Sequence, residues 1–260
     1  TGDGGSQNTI YGNDAGVALA SGVDNNTLIG FEAGKALNGG DENVAIGSQA
    51  LVAQTSAGSN VAIGRQAGDS CETGGSNVWI GRNAGGATVD VDSTVCIGRD
   101  AGAANMTNAA DGSVAIGYGA LAALTTGETN TAVGFMALNA EDTNQQNTAI
   151  GFNALLAQNG ADSNTAIGRE AGKTISTGGD NTLVGTNAAL LLATGARNIV
   201  TGAFAFDSAD GAESDNISIG YFALGNANND STVSNIAIGS YALDAIGTNA
   251  HTGSIAIGHQ

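Results

Sequence analysis

Polar and apolar residues follow one short pattern along the whole chain. A hydrogen-bonding residue is followed by three mostly apolar ones and a glycine, and the pattern returns about one solenoid coil later. Its cleanest copy is Asn147-Thr148-Ala149-Ile150-Gly151, followed by Ala154 and Leu155. Numbered by its glycine, the unit recurs fifteen times: at Gly12, Gly30, Gly47, Gly64, Gly81, Gly98, Gly117, Gly134, Gly151, Gly168, Gly185, Gly202, Gly220, Gly239 and Gly258. Successive glycines lie 17 to 19 residues apart. A fixed period this short is the mark of a solenoid, in which each repeat buries its apolar face only against its neighbours.

Positions counted from the glycine obey separate rules. Position −4 is Asn in twelve copies and Thr94, Ser113 or Ser254 in the others. Position −3 is always Thr, Val or Ile, and position −1 is Ile in eleven copies. Position +3 is Ala in all fourteen copies long enough to contain it, and position +4 is mostly Leu or Gly. The β-branched run predicts a short strand. The glycine predicts a sharp turn, the Ala-Leu/Gly segment a second extended piece, and the polar run that follows the close of the coil. The period is too short for two helices and their turns. The predicted fold is therefore all-β, a parallel β-roll or β-solenoid of about 15 coils with 17–19-residue repeats.

Stacked coils align the Asn positions. Asn43, Asn60, Asn77, Asn130, Asn147, Asn164 and Asn181 are predicted to form a structural amide ladder beside a glycine column of Gly47, Gly64, Gly81, Gly134, Gly151, Gly168 and Gly185. Alternation along the strand puts −3 and −1 on one face and −2 on the other. Both are apolar. The expectation is that −3 and −1 fill the coil, while −2, represented by Ala45, Ala62, Trp79, Ala132, Ala149 and Ala166, meets partner chains. Surplus residues of the longer coils fall in Ala103 to Gly112, Gly225 to Ser234 and Asp244 to Gly253, read as outward loops free to carry recognition.

Composition sharpens this picture. The chain has 260 residues with 42 Gly, no Pro and 4% aromatics, which suits thin stacked layers better than a globule. Proline lacks the backbone donor that stacked strands need. The net charge of −17, with 7 basic residues, argues against nucleic acid and anionic membranes as partners. No apolar run is long enough to predict membrane insertion. Thr1 begins the chain and both ends fall inside a repeat, so a single repeat domain spanning 1–260, cut from a longer fibre protein, is expected.

Cys71 and Cys96 occupy different phases of the repeat, which sets them apart in a stack. His251 and His259 have no ligand cluster at metal or nucleophile spacing. No cofactor is predicted. Ca²⁺ is the one ion considered, at Asp90-Val91-Asp92 and Asp207 to Asp210, where the usual calcium repeat does not recur. No catalytic constellation stands out, and a non-enzyme is expected.

The unit Ser113-Val114-Ala115-Ile116-Gly117-Tyr118-Gly119-Ala120 resembles the repeat of the YadA-like heads of trimeric autotransporter adhesins. Runs such as Asn147-Thr148-Ala149-Ile150-Gly151, with Ala154 and Leu155, are similar to repeats of bacteriophage tail fibres. The resemblance covers essentially the whole chain. It implies a left-handed β-roll, three chains packed about an axis as a homotrimer, and an extracellular, cell-surface or virion location. The function it implies is a structural fibre that mediates attachment, with a surface glycan or host-cell receptor as partner. Alternatives are an ice-binding solenoid, which needs a regular Thr face, and a carbohydrate-active β-helix, which needs clustered carboxylates.

Overall fold

The computed structural model describes residues 7–244 and 250–259. The fold is all-β: a solenoid of about 14 turns in which fifteen strands run parallel among the described residues. Each strand has three residues and ends at the repeat glycine. The chain divides into two compact units, residues 1–129 and 130–260. The first holds strands β1 (Thr9–Tyr11) to β7 (Val114–Ile116), and the second β8 (Thr131–Val133) to β15 (Ile255–Ile257).

Within the first unit the register is strict. Ala45 stands beside Ala62, Ala62 beside Trp79, and Trp79 beside Cys96. Within the second, Ala132, Ala149, Ala166 and Leu183 line up in the same way. Strand hydrogen bonds extend to the flanking residues. The Val44 amide donates to the Asn60 carbonyl at 2.8 Å, and the Gly47 amide to the Ile29 carbonyl at 2.8 Å.

The expected second extended piece is absent. The residues after each glycine form successive turns instead, because positions +2 and +4 take left-handed backbone, as at Gln49 (φ 61°) and Leu51 (φ 49°). The turns still stack. The Gln49 amide reaches the Phe31 carbonyl at 2.8 Å, and the Leu51 amide the Ala67 carbonyl at 3.1 Å. This accounts for the complete lack of proline, in turns as well as strands. Turn amides are needed as donors, and proline cannot take positive φ.

The interior also differs from expectation. Ala45, Ala62, Trp79, Ala132, Ala149 and Ala166 do not face a partner; all six are fully buried within their own chain. A coil with one three-residue strand encloses a narrow space. Two columns of small residues, at −2 and +3, leave room for one large side chain per coil. The bulkier β-branched columns at −3 and −1 must therefore turn outward.

Volume inside is shared between −2 and +4. In the coils of Ala45, Ala132 and Ala149, +4 is the buried Leu51, Leu138 or Leu155. Around Leu28, Trp79 and Leu183 at −2, a neighbouring +4 position is glycine, whereas Val200 shares its coil with the buried Phe206. A Cβ on Gly85 would lie 2.5 Å from the Trp79 ring, and one on Gly172 would lie 2.6 Å from Leu183. Both cysteines are buried and unpaired. Burial pushes the Cys71 thiol up to about 11 and Cys96 up to about 12, so both act as inert filling.

Two of the expected free loops contribute to the core. Met106 and Ala110 are buried in the Ala103–Gly112 segment, which includes a short 3-10 helix at Asn108–Ala110. Ala227 and Thr232 are buried in the Gly225–Ser234 segment. Lengthening a coil here widens its wall rather than adding a detachable loop. Half of the third segment, 245–249, lies outside the described residues.

Candidate functional site

The Asn column is a ladder whose main rung runs from side chain to backbone. Asn43 Oδ1 accepts the Asn60 amide at 3.1 Å, and Asn60 Oδ1 accepts the Asn77 amide at 2.9 Å. Asn130, Asn147, Asn164 and Asn181 repeat this in the second unit, where the Asn147, Asn164 and Asn181 amides are accepted at 2.9, 2.9 and 3.0 Å. The Nδ2 groups donate to a carbonyl of the following coil, as from Asn60 to Gly74 at 2.9 Å. Direct amide-to-amide contacts join in at Asn77–Asn60 (3.1 Å) and Asn181–Asn164 (3.0 Å). Buried backbone groups need partners, and Asn supplies an acceptor and a donor at once.

Thr94 breaks the column for a local reason. Its Oγ1 donates to Asn77 Oδ1 at 2.7 Å and accepts the buried indole N–H of Trp79 at 3.2 Å. The repeat's one Trp and its one Thr at −4 are therefore a matched pair.

The glycine column is a steric seam. Gly64 has φ +136°, and a Cβ there would lie 2.5 Å from the Gly81 carbonyl oxygen. Gly47, Gly81, Gly134, Gly151, Gly168 and Gly185 likewise abut the glycine of the next coil.

The candidate carboxylate sites do not assemble into an ion-binding cage. Asp92 Oδ1 accepts the Gly75 amide at 2.6 Å, and Asp90 Oδ1 accepts the Asn108 amide at 3.3 Å. No group of three or more His, Cys, Asp or Glu side chains is placed to hold a metal among the described residues. Several acidic residues serve as turn acceptors between coils, as Asp162 does for the Gln145 amide at 2.8 Å. Glu141 is buried, accepting the Asn144 amide at 2.6 Å and Gln158 Nε2 at 3.3 Å, and burial raises its pKa. His251 contributes its carbonyl to Asn235 Nδ2 at 2.9 Å, and the His259 ring meets Tyr241 edge-on with centroids 6.2 Å apart.

What remains open to solvent is the outer face of each strand ladder. In the first unit it carries Val44, Val61, Val78 and Val95 beside Ile46, Ile63, Ile80 and Ile97, all half-buried. In the second it carries Thr131, Thr148, Thr165 and Thr182 in register beside Val133, Ile150, Ile167 and Val184. Ile150 and Ile167 are 37% and 39% exposed without any partner chain. Sequence reasoning missed this face by assigning its residues to the interior. The trade of volume between −2 and +4 was the signal that places −2 inside.

Position +1 forms a further exposed column next to it. The first unit stacks Arg65, Arg82 and Arg99 in consecutive coils, followed by Tyr118. The second unit has Phe135 and Phe152 at this position, stacked at 5.4 Å, then Arg169.

No protein-family model matches this chain, and no curated protein is similar enough to count as a relative. No helix among the described residues is long and apolar enough to cross a membrane.

Proposed function

We propose that the chain is a non-enzymatic structural segment of an extracellular fibre, of the surface-adhesin or phage tail-fibre kind, which packs against copies of itself through the outer face of its strand ladder. One observation carries the reading. The −1 column is Ile or Val in nearly every coil and the −3 column is β-branched throughout, Val in most of the first unit and Thr then Ile in the second, both partly exposed, while the interior is already filled by the chain's own residues. Extended apolar surface of this kind is a mark of association sites. Closed cyclic symmetry covers such a stripe without leaving a new one. A homotrimer is the stoichiometry that the resemblance to YadA-like heads implies. The interface thus lies on Val44, Ile46, Thr148, Ile150 and their equivalents rather than on the alanine column.

Light scattering on the chain tests this. The expected particle mass is three times that of the chain, falling to one chain for Ile150→Asp with Ile167→Asp, with the circular dichroism spectrum unchanged. A well-folded monomer in the wild type rules the reading out.

A second reading draws on the four in-register threonines Thr131, Thr148, Thr165 and Thr182, which point outward at regular spacing. An ice-binding solenoid presents such a face. Thermal hysteresis from the wild type, lost in Thr148→Tyr, favours that reading over self-assembly.

A further inference from the structure

We infer that the Arg65–Arg82–Arg99 column of the first unit is a binding strip for a linear acidic polysaccharide, specifically a polyuronate with one carboxylate per sugar. The strip is independent of self-association through the strand face.

The chain has 7 basic residues against a net charge of −17, and three of the seven stand at the same repeat position in consecutive coils. The stacking is held by the backbone. The Asn83 amide donates to the Arg65 carbonyl at 3.0 Å, the Asp100 amide to the Arg82 carbonyl at 3.0 Å, and the Gly119 amide to the Arg99 carbonyl at 3.1 Å. Like charges aligned on neighbouring strands repel. The other basic residues are paired with carboxylates, Lys35, Arg169, Lys173 and Arg197 closely, whereas Arg65 and Arg82 have no ion pair among the described residues. Arg99 is fixed at one end of the strip, with its guanidinium 4.5 Å from the Tyr118 ring centre and Nε 3.5 Å from Asp100 Oδ2. Two unpaired guanidinium groups beside a third that a carboxylate holds only at 3.5 Å, on an acidic protein, are what an anionic ligand would neutralise.

The spacing and the flanks select the ligand. Successive guanidinium stems rise by about one strand spacing, ~4.8 Å, along the stack. That is comparable to the length of one pyranose unit, so an extended polyuronate offers each arginine its own carboxylate. Arginine binds carboxylates through paired N–H donors. Ile63, Ile80 and Ile97 alongside belong to the strand face proposed above for self-association, so the ligand is held by the guanidinium groups of the strip itself. At the next position Gln66 offers an amide for hydroxyl groups, while Asn83 Nδ2 donates to Asp100 Oδ1 at 3.1 Å and so draws on that neighbouring carboxylate. Duplex nucleic acid fits poorly. It brings about one charge per 1.7 Å of axis, far denser than the strip, against a surface otherwise rich in carboxylates.

The test is titration calorimetry of the full chain with an oligogalacturonate long enough to span three coils. Binding is expected, with log K falling against log salt at a slope of about −2 to −3, the value for three neutralised charges. The triple variant Arg65→Gln/Arg82→Gln/Arg99→Gln is expected to lose about tenfold or more in affinity, as fits the loss of charge-assisted contacts. A second triple, Arg169→Gln/Lys173→Gln/Arg197→Gln, makes the same change in net charge away from the strip and should bind as wild type. Equal losses in both triples, no loss in either, or no binding by the wild type overturn the proposal. Tighter binding of a single-stranded oligonucleotide than of the oligogalacturonate overturns it in favour of nucleic acid. The strip residues are exposed, so the first triple should fold. If it does not, Arg82→Gln alone must weaken binding and leave the unliganded melting temperature unchanged or raised.

Discussion

The two sides of one strand teach different lessons. Ala149 and Ile150 are adjacent, equally regular and equally apolar, yet Ala149 is fully buried and Ile150 is 37% exposed. The inner column is limited by space. Its residues vary in size only where a neighbouring position gives way, as Gly68 and Gly85 do around Trp79. The outer column is limited by shape. It keeps β-branched residues of nearly constant size in almost every coil, although the chain itself leaves them only half-buried. Uniformity on the outside suits both a strand and the self-association proposed above, while compensation on the inside points to packing within the chain.

Substituting a carboxylate on each side should break the symmetry most strongly. Ala149→Asp places a charge in a space that cannot hydrate it, at several kcal/mol, a large part of the stability of an ordinary domain. The expected outcome is loss of the strand signal in circular dichroism. Ile150→Asp puts the same charge in water and should leave that signal intact. A folded Ala149→Asp protein would mean that the inner and outer assignments are exchanged.

The glycine column allows a finer version of the same contrast. At Gly64 a methyl group meets both an unfavourable φ of +136° and the Gly81 carbonyl 2.5 Å away. At Gly258 φ is +134°, but nothing among the described residues lies within 4 Å of an added Cβ. Gly64→Ala should therefore cost more than about 4 kcal/mol, and Gly258→Ala only about 1–3 kcal/mol for backbone strain. Comparing their urea midpoints separates strain from stacking, and similar losses would show that stacking contributes little.

Asn164→Ala comes next in size. It removes the acceptor of the Asn181 amide at 3.0 Å and the donors to the Gly178 carbonyl at 2.8 Å and to Gln158 Oε1 at 3.2 Å, all buried. Orphaned buried groups cost about 1–3 kcal/mol each, partly relieved by local adjustment, so a loss of about 2–4 kcal/mol is expected. Thr165→Val, the next residue along but on the outer face, should fall within about 0.5 kcal/mol. Chemical denaturation of the two single variants decides whether the ladder or the strand face holds the coils together.

The period, the strand and its parallel register were all legible in the sequence, because one rule repeated over fifteen glycines leaves few alternatives. The Asn and Gly columns were legible too, since each residue type has one outstanding backbone property. The direction of the strand faces was not. Alternation reports that two faces differ, not which one closes on itself, and Val and Ile suit a core and an interface equally. Evidence was nevertheless present in pairs of positions: Trp79 between Gly68 and Gly85, Leu28 between Gly16 and Gly34, and Thr94 opposite the Trp79 indole. The left-handed residues after each glycine were hidden because Leu51, Leu121 and Leu155 take φ of 49°, a conformation that leucine alone never suggests. The arginine strip needed only the repeat alignment to be seen, yet net charge drew attention away from it.

The smallest expected effect concerns a carboxylate on the border between inside and outside. Asp207 is half-buried, and its Oδ1 has no hydrogen-bond partner among the described residues. Burial, with the nearby Asp244 charge adding to it, raises its carboxyl from 3.8 to about 6. The folded chain therefore holds this proton more tightly than the unfolded chain does. Its effect on stability must fall as pH rises from about 4 to about 6, and level off above that range, where the ionised group is fully penalised. Asp207→Asn removes the titration. Its stability relative to wild type should be small at pH 4 and positive by about 1 kcal/mol at pH 8, less than the full conversion of the shift because solvent screens a group that is only half-buried. Thermal melts of both proteins at the two pH values provide the check. A gain of equal size at both would place the effect in hydrogen bonding rather than charge, and a loss at pH 8 would mean that the ionised form is stabilised by a partner.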